Sequence, residues 1–216
     1  MPPNLPNGRS ESGHGVTDSG INPVGIISWG THFCSFYENI NDHLDTVAAY
    51  FRSGVLRHEA CLWIAAPPLK KDRAIEDLSR WDPLLSDAIK DRAIEVADWD
   101  EWYIALGQFD PERVIRGWDQ RLSAALDHGH AGLRVAANEA WLTYNLKRRF
   151  CCYERSLNRS LGDKNIVIMC CYPTSGSTAA DVFDVAATHQ FALAHRHGAW
   201  EVMEVTDHVG AVASER

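Results

Sequence analysis

Short runs that are apolar at nearly every position, not at alternate ones, constrain this chain most. Ala60 to Ala66, Leu133 to Ala137 and Ile166 to Tyr172 each have the length of one strand. A strand that is apolar on both faces must be covered on both. Between these runs the period changes to that of a helix. Ile40, Leu44, Val47, Ala48 and Phe51 form one stripe, and Leu69 to Trp81 is a charged amphipathic stretch. Val114, Ile115, Trp118, Leu122 and Ala125 form another stripe behind Asp110-Pro111, an N-cap followed by a first-turn proline, and Gly129 closes it. The alternation predicts an α/β domain of three layers, a mostly parallel sheet with helices on both faces.

Weaker signals complete the order. Gly25 to Trp29 reads as a buried strand that bends at Gly30 into His32 to Tyr37. Ala93 to Ala97 and Trp200 to Val205 read as strands, and Ala140 to Leu161 and Ser177 to His195 as helices. Gly54 sits where the C′ glycine of the first helix is expected. Residues 1–23, rich in Pro, Gly, Ser and Asn, have too little apolar surface to offset their ordering entropy and read as a flexible leader. The body then covers 24–205, with a tail over 206–216.

Composition removes whole classes of function. A net charge of −8 argues against a nucleic-acid surface. No run of about 18 apolar residues exists to span a membrane, and no signal sequence opens the chain. A cytoplasmic protein is expected, with its six Cys as thiols and not disulfides.

Several catalytic signatures are missing. Tyr37 to Leu44, which joins the first long strand to the first helix, has neither Gly nor Lys and carries Glu38 and Asp42 where a P-loop would cradle phosphate. There is no dinucleotide fingerprint, nucleophile elbow or His-Glu-x-x-His helix. The chain is therefore expected not to be an enzyme and to carry no cofactor.

Binding chemistry is the alternative. His32 and Cys34, two apart on a strand, point to one face with Cβ atoms about 7 Å apart. Ligands in open α/β sheets bind beyond the carboxyl ends of the strands, where Tyr37, Glu139 and Tyr172 fall. With eight Trp in the chain, the expectation is a largely apolar cavity there, walled from among Trp29, Phe36, Tyr37, Trp63, Trp141 and Tyr172. His32, Cys34 and Glu139 are its expected polar groups. A metal is not expected; a metal- or redox-responsive switch would draw on His32 and Cys34, with further ligands from Cys61, Cys170 or Cys171.

Some of these residues also carry a family resemblance. His32-Phe33-Cys34-Ser35-Phe36-Tyr37-Glu38, then Phe51-Arg52-Ser53-Gly54-Val55 and Glu59-Ala60-Cys61-Leu62-Trp63-Ile64, resemble the MEDS domain, the sensory domain of methanogen and methylotroph regulators. Leu133-Arg134, Glu139-Ala140-Trp141, Tyr153-Glu154 and Leu157-Asn158 extend the likeness to about Val205. The family's last long strand ends Cys-Gln-Tyr-Asp, whereas here it reads Cys170-Cys171-Tyr172-Pro173. The resemblance implies a RecA-like fold without a functional P-loop. It also implies a sensor of small hydrocarbon derivatives that signals through a histidine kinase, a transcription regulator or a second copy of the chain. The remaining reading is a RecA-like interaction scaffold that binds no nucleotide.

Overall fold

Strand and helix alternate along the chain in a computed structural model that describes residues 15–204 other than 106 and 163. The order opens with β1 (Val16–Asp18), β2 (Ile26–Ser28), β3 (His32–Tyr37), α1 (Ile40–Leu56) and β4 (Ala60–Ala65). It continues with α2 (Lys71–Trp81), α3 (Pro83–Lys90), β5 (Ile94–Asp98), α4 (Trp99–Tyr103), β6 (Ile104–Ala105) and β7 (Gln108–Phe109). Then come α5 (Pro111–Asp127), β8 (Leu133–Asn138), α6 (Tyr144–Leu161), β9 (Ile166–Pro173), α7 (Ala179–Ala186), β10 (Phe191–Arg196) and β11 (Ala199–Glu204). Asp110 caps α5 as its sequence predicts, accepting from the backbone amides of Glu112 and Arg113.

Seven strands form one sheet in the order β11-β10-β3-β9-β8-β4-β5. Every pairing in it is parallel except β10 with β11. The apolar runs therefore end up where they must be, in central strands covered twice. One face, with Phe33, Trp63, Met169 and Cys171, packs against α1, α2 and α3. The other, with Cys34, Ile64, Val135 and Cys170, packs against α5, α6 and α7. The three-layer α/β expectation holds.

Four expectations are corrected. The leader does not extend to residue 23: β1 pairs with β2 as a hairpin, with Thr17, Ser19 and Ile21 buried. Gly25 to Trp29 is thus half of that hairpin and not the first part of β3. Gly30 makes the turn between them at φ +82°, where an added Cβ would sit 2.0 Å from the Gly162 carbonyl oxygen. The long helix over 177–195 is in fact α7 followed by β10. Phe-Ala-Leu-Ala-His suits a helix locally, but pairing with β3 overrides that preference. The helix expected from Ala140 starts only at Tyr144. Residues 1–14, and Val205 with the tail over 206–216, lie outside the described residues.

One buried ion pair ties the leader hairpin to this core. Arg134 of β8 is fully enclosed, and its Nε donates to Glu59 Oε2 at 2.6 Å. Its Nη2 donates to the Asp18 carbonyl at 2.9 Å and to Thr17 Oγ1 at 3.1 Å. Nη1 donates to the Ser19 carbonyl, and the guanidinium lies 4.5 Å from the Tyr50 ring centre. Thr17 in turn donates to Glu59. Such a pair satisfies itself only while every partner stays in place.

Gly54 belongs to this arrangement. It is not a C′ residue, because α1 runs on to Leu56. A Cβ at Gly54 would lie 2.6 Å from Arg134 Nε and 2.8 Å from its Cδ. Helix propensity alone favours Gly54→Ala by about 1 kcal/mol, whereas overpacking against a held guanidinium costs about 1–3 kcal/mol. Gly54→Ala is accordingly expected to lower the urea midpoint. A raised midpoint would show that Arg134 can move aside.

Candidate functional site

Alternation along the strands divides the sequence-derived residues between the two faces. His32, Cys34, Phe36, Glu139, Trp141 and Tyr172 lie on the α5–α7 side, and Tyr37, Trp63, Cys61 and Cys171 on the α1–α3 side. His32, Cys34, Cys61 and Cys171 therefore cannot share one ion, which corrects that set. Cys34 and Cys61 are buried within the sheet layer. Burial pushes both thiols up, that of Cys61 to about 12.

The α1 side is packed solid around the remaining pair. Tyr37 stacks on His43 at 4.6 Å and donates to Asn138 Oδ1 at 3.1 Å, while the Asn138 amide lies 3.4 Å from His43 Nε2. Trp63 is fully buried, edge-on to His43 and Phe51. Trp29 covers Gly132 at the amino ends of the strands. None of these three aromatic residues lines a cavity at the carboxyl ends, which corrects that part of the expectation.

Much of the aromatic excess on the other side is likewise core. Trp141 stacks between Trp99 and Tyr103, at 5.1 and 5.0 Å, and meets Phe150 edge-on. Glu139, at the end of β8, holds this cluster together: its carboxylate accepts from Tyr103 Oη at 2.7 Å and Trp141 Nε1 at 2.8 Å. Burial and the Glu154 carboxylate push the Glu139 carboxyl well above its usual range, against those two hydrogen bonds.

A cleft of about 850 Å³ does open at the carboxyl ends of β3, β8 and β9, between α6 and α7. Phe36, Glu139 and Tyr172 reach it; His32, Cys34, Tyr37, Trp63 and Trp141 do not. Its apolar surface comes from Phe36, Leu142, Phe150, Tyr172, Val182 and Val185. The polar share corrects the largely apolar expectation: Lys147, Arg148 and Arg155 line α6, and Asp181 and Asp184 line α7. These charges come from solvent-facing helix positions, which the strand-based reading did not inspect. Lys147 and Asp181 join across the cleft at 2.8 Å. The Lys147 contact and the Thr178 amide and hydroxyl hold the Asp181 carboxyl down to about 2. Among the described residues, Arg148 and Arg155 form no ion pair.

Below the cleft floor, Tyr172 donates to Glu154 Oε1 at 2.9 Å. Glu154 Oε2 faces His32 Nε2 at 2.9 Å. Burial alone would raise the Glu154 carboxyl, yet His32, His189 and Tyr172 together hold it below its usual range. Glu154 and His189 are members of this cluster that strand reasoning missed. The Tyr153-Glu154 pair that forms part of the family resemblance was the available signal for Glu154.

Comparison with known proteins agrees with this architecture. The family model of MEDS, the methanogen/methylotroph DcmR sensory domain, matches residues 31–190. A crystal structure of a KaiC-like protein from the hyperthermophilic archaeon Pyrococcus horikoshii OT3 superposes with a TM-score of 0.55. It shares 11% identity, covering 84% of this chain and 80% of that one, so the likeness is one of fold. No curated protein matches by sequence.

Two outcomes are expected. In Glu139→Gln the amide can accept from Trp141 and donate to the Tyr103 hydroxyl, so stability changes by less than about 1 kcal/mol. Glu139→Ala orphans both donors and costs about 2–4 kcal/mol; equal losses by urea unfolding would mean the carboxylate charge is required. The second concerns pH. Burial lowers His43 to about 3, so below about pH 6.5 the unfolded chain takes up a proton that the folded one does not. The stability held by neutral His43 is complete above that pH and is lost as pH falls toward 3. Between pH 7 and 5 the wild type should lose about 2 kcal/mol more than His43→Phe; parallel pH profiles would refute this.

Proposed function

The chain belongs to the MEDS family of sensory domains, and from that premise we propose that it is a non-enzymatic receptor whose signal molecule enters the cleft between α6 and α7. The observation that carries the reading is the cleft itself, at the strand ends where open α/β sheets take ligands, with a volume in the range of small-molecule sites. An apolar body would lie on Phe36, Phe150 and Tyr172. Arg148 and Arg155, which form no ion pair among the described residues, suit an anionic end. The ligand class is then a small organic acid, in place of the mostly apolar hydrocarbon derivative that the resemblance implies.

Nucleotide turnover has no part in this reading. Asn39 caps α1, accepting from the Asp42 amide, so a side chain occupies the position that phosphate takes at a P-loop helix. Output would pass through α7, which walls the cleft and carries Phe183 outward at 71% exposure. The receiver would be a histidine kinase, a transcription regulator or a second copy of the chain.

Thermal melting against short aliphatic and aromatic carboxylates, with matched alcohols and halogenated hydrocarbons, tests the proposal. A true ligand at a hundred times its Kd adds about 2.7 kcal/mol, which raises Tm by roughly 5–10 °C in a domain of this size. Joint substitution of Arg148→Ala and Arg155→Ala should abolish the shift for the acid. Equal shifts from neutral compounds, unchanged in that variant, would return the ligand to the apolar class. No shift from any compound would favour the interaction scaffold.

A further inference from the structure

Under the cleft floor, four buried side chains from four parts of the fold converge on one point. His32 opens β3, Glu154 lies on α6, Cys170 on β9, and His189 in the turn before β10. Each brings one donor atom within 4.8 Å of all the others. The sheet register explains half of this meeting: β3 and β9 are neighbours with Cys34 opposite Cys170, so His32 and Cys170 lie diagonally on one face.

The outer hydrogen bonds orient both imidazoles. Asn158 donates its amide to the Thr188 carbonyl, so its Oδ1 is the atom facing His32 Nδ1 at 2.7 Å. His32 Nδ1 must therefore donate, and Nε2 points inward. His189 Nδ1 lies 2.8 Å from the Val185 carbonyl, which can only accept. That leaves His189 Nε2 also pointing inward, fully enclosed and with no hydrogen-bond partner. A buried nitrogen lone pair without a donor is costly unless something electropositive belongs beside it. An imidazole fixed by a carbonyl on one nitrogen with the other free is the arrangement that metal-binding histidines adopt.

The spacings agree. Glu154 Oε2 lies 2.9 Å from His32 Nε2, 3.6 Å from His189 Nε2 and 3.9 Å from Cys170 Sγ. His32 Nε2 lies 3.3 Å from Cys170 Sγ. Bonds of about 2.0–2.3 Å to a tetrahedral zinc put its ligands roughly 3.3–3.8 Å apart, so small shifts would close the set. One carboxylate and one thiolate offset a divalent charge, leaving a neutral buried site.

We propose that His32, Glu154, Cys170 and His189 form a closed site for one divalent transition-metal ion, zinc being the ion that this donor set suits best. On binding, the Cys170 thiol loses its proton and the proton between His32 and Glu154 leaves; both go to solvent. Four protein ligands leave no open position, so the ion's role is to tie β3, α6, β9 and the approach to β10 together beneath Tyr172. The site does not depend on what enters the cleft above it.

Metal analysis and native mass spectrometry of the full chain, purified without chelator, should give one zinc per chain. After chelation, one equivalent of Co²⁺ should restore the melting temperature. It should also produce tetrahedral ligand-field bands with a sulfur-to-cobalt charge-transfer band. Cys170→Ser should remove the charge-transfer band. Cys171→Ser, one residue along but on the opposite face, should retain it. Asn158→Ala should weaken zinc binding by about 10–100-fold. The proposal is overturned by a chelated chain whose melting neither ion raises, by a cobalt spectrum lacking the sulfur band, or by a band that depends on Cys171 and not Cys170. If Cys170→Ser fails to fold, the wild-type spectrum and the Asn158→Ala affinity still decide the matter.

Discussion

A guanidinium enclosed against one sheet face, with its contacts supplied by three separate segments of the chain, sets the terms for much of this structure. Arg134 reaches Glu59 at the start of β4 and the backbone of residues 18 and 19 in the leader hairpin, and it lies against Tyr50 of α1. Removing one partner of such a pair leaves an uncompensated buried charge, a loss of about 3–5 kcal/mol. The hairpin has little apolar surface of its own and depends on this contact, together with Ile21 and Ile27, to join the core. Gly54 is required for the same reason, since any side chain there would occupy the space of the arginine.

The two faces of the sheet then divide the work. The α1–α3 side buries Tyr37, His43 and Trp63 in tight contact with one another, away from the cleft. The α5–α7 side carries the polar chemistry. Glu139 and Glu154, both buried, stand beneath one cleft, yet their environments push their carboxyls in opposite directions. Glu139 has only neutral donors beside it, whereas Glu154 faces two imidazoles. Tyr172 connects the layers, with its ring on the cleft and its hydroxyl on Glu154. A fold shared with a KaiC-like protein does not decide what such a site binds; the side chains at the strand ends do.

From sequence alone, the class of fold was legible, because runs such as Ile166 to Tyr172 leave a strand no option but burial on both faces. The capped start of α5 was legible for an equally local reason, an Asp-Pro pair at its head. Strand direction put Glu139 and Tyr172 at the carboxyl ends, where a cleft does open. Tertiary structure alone decided the rest. Which face Cys170 and Cys171 each take depends on register, since a shift of one residue exchanges them. The Phe191 to Arg196 segment became a strand because β3 offered it an edge, not because of its own propensity. Glu154 and His189 meet His32 from 122 and 157 residues away, a distance that only the packing of α6 against the sheet and the pairing of β10 with β3 can close.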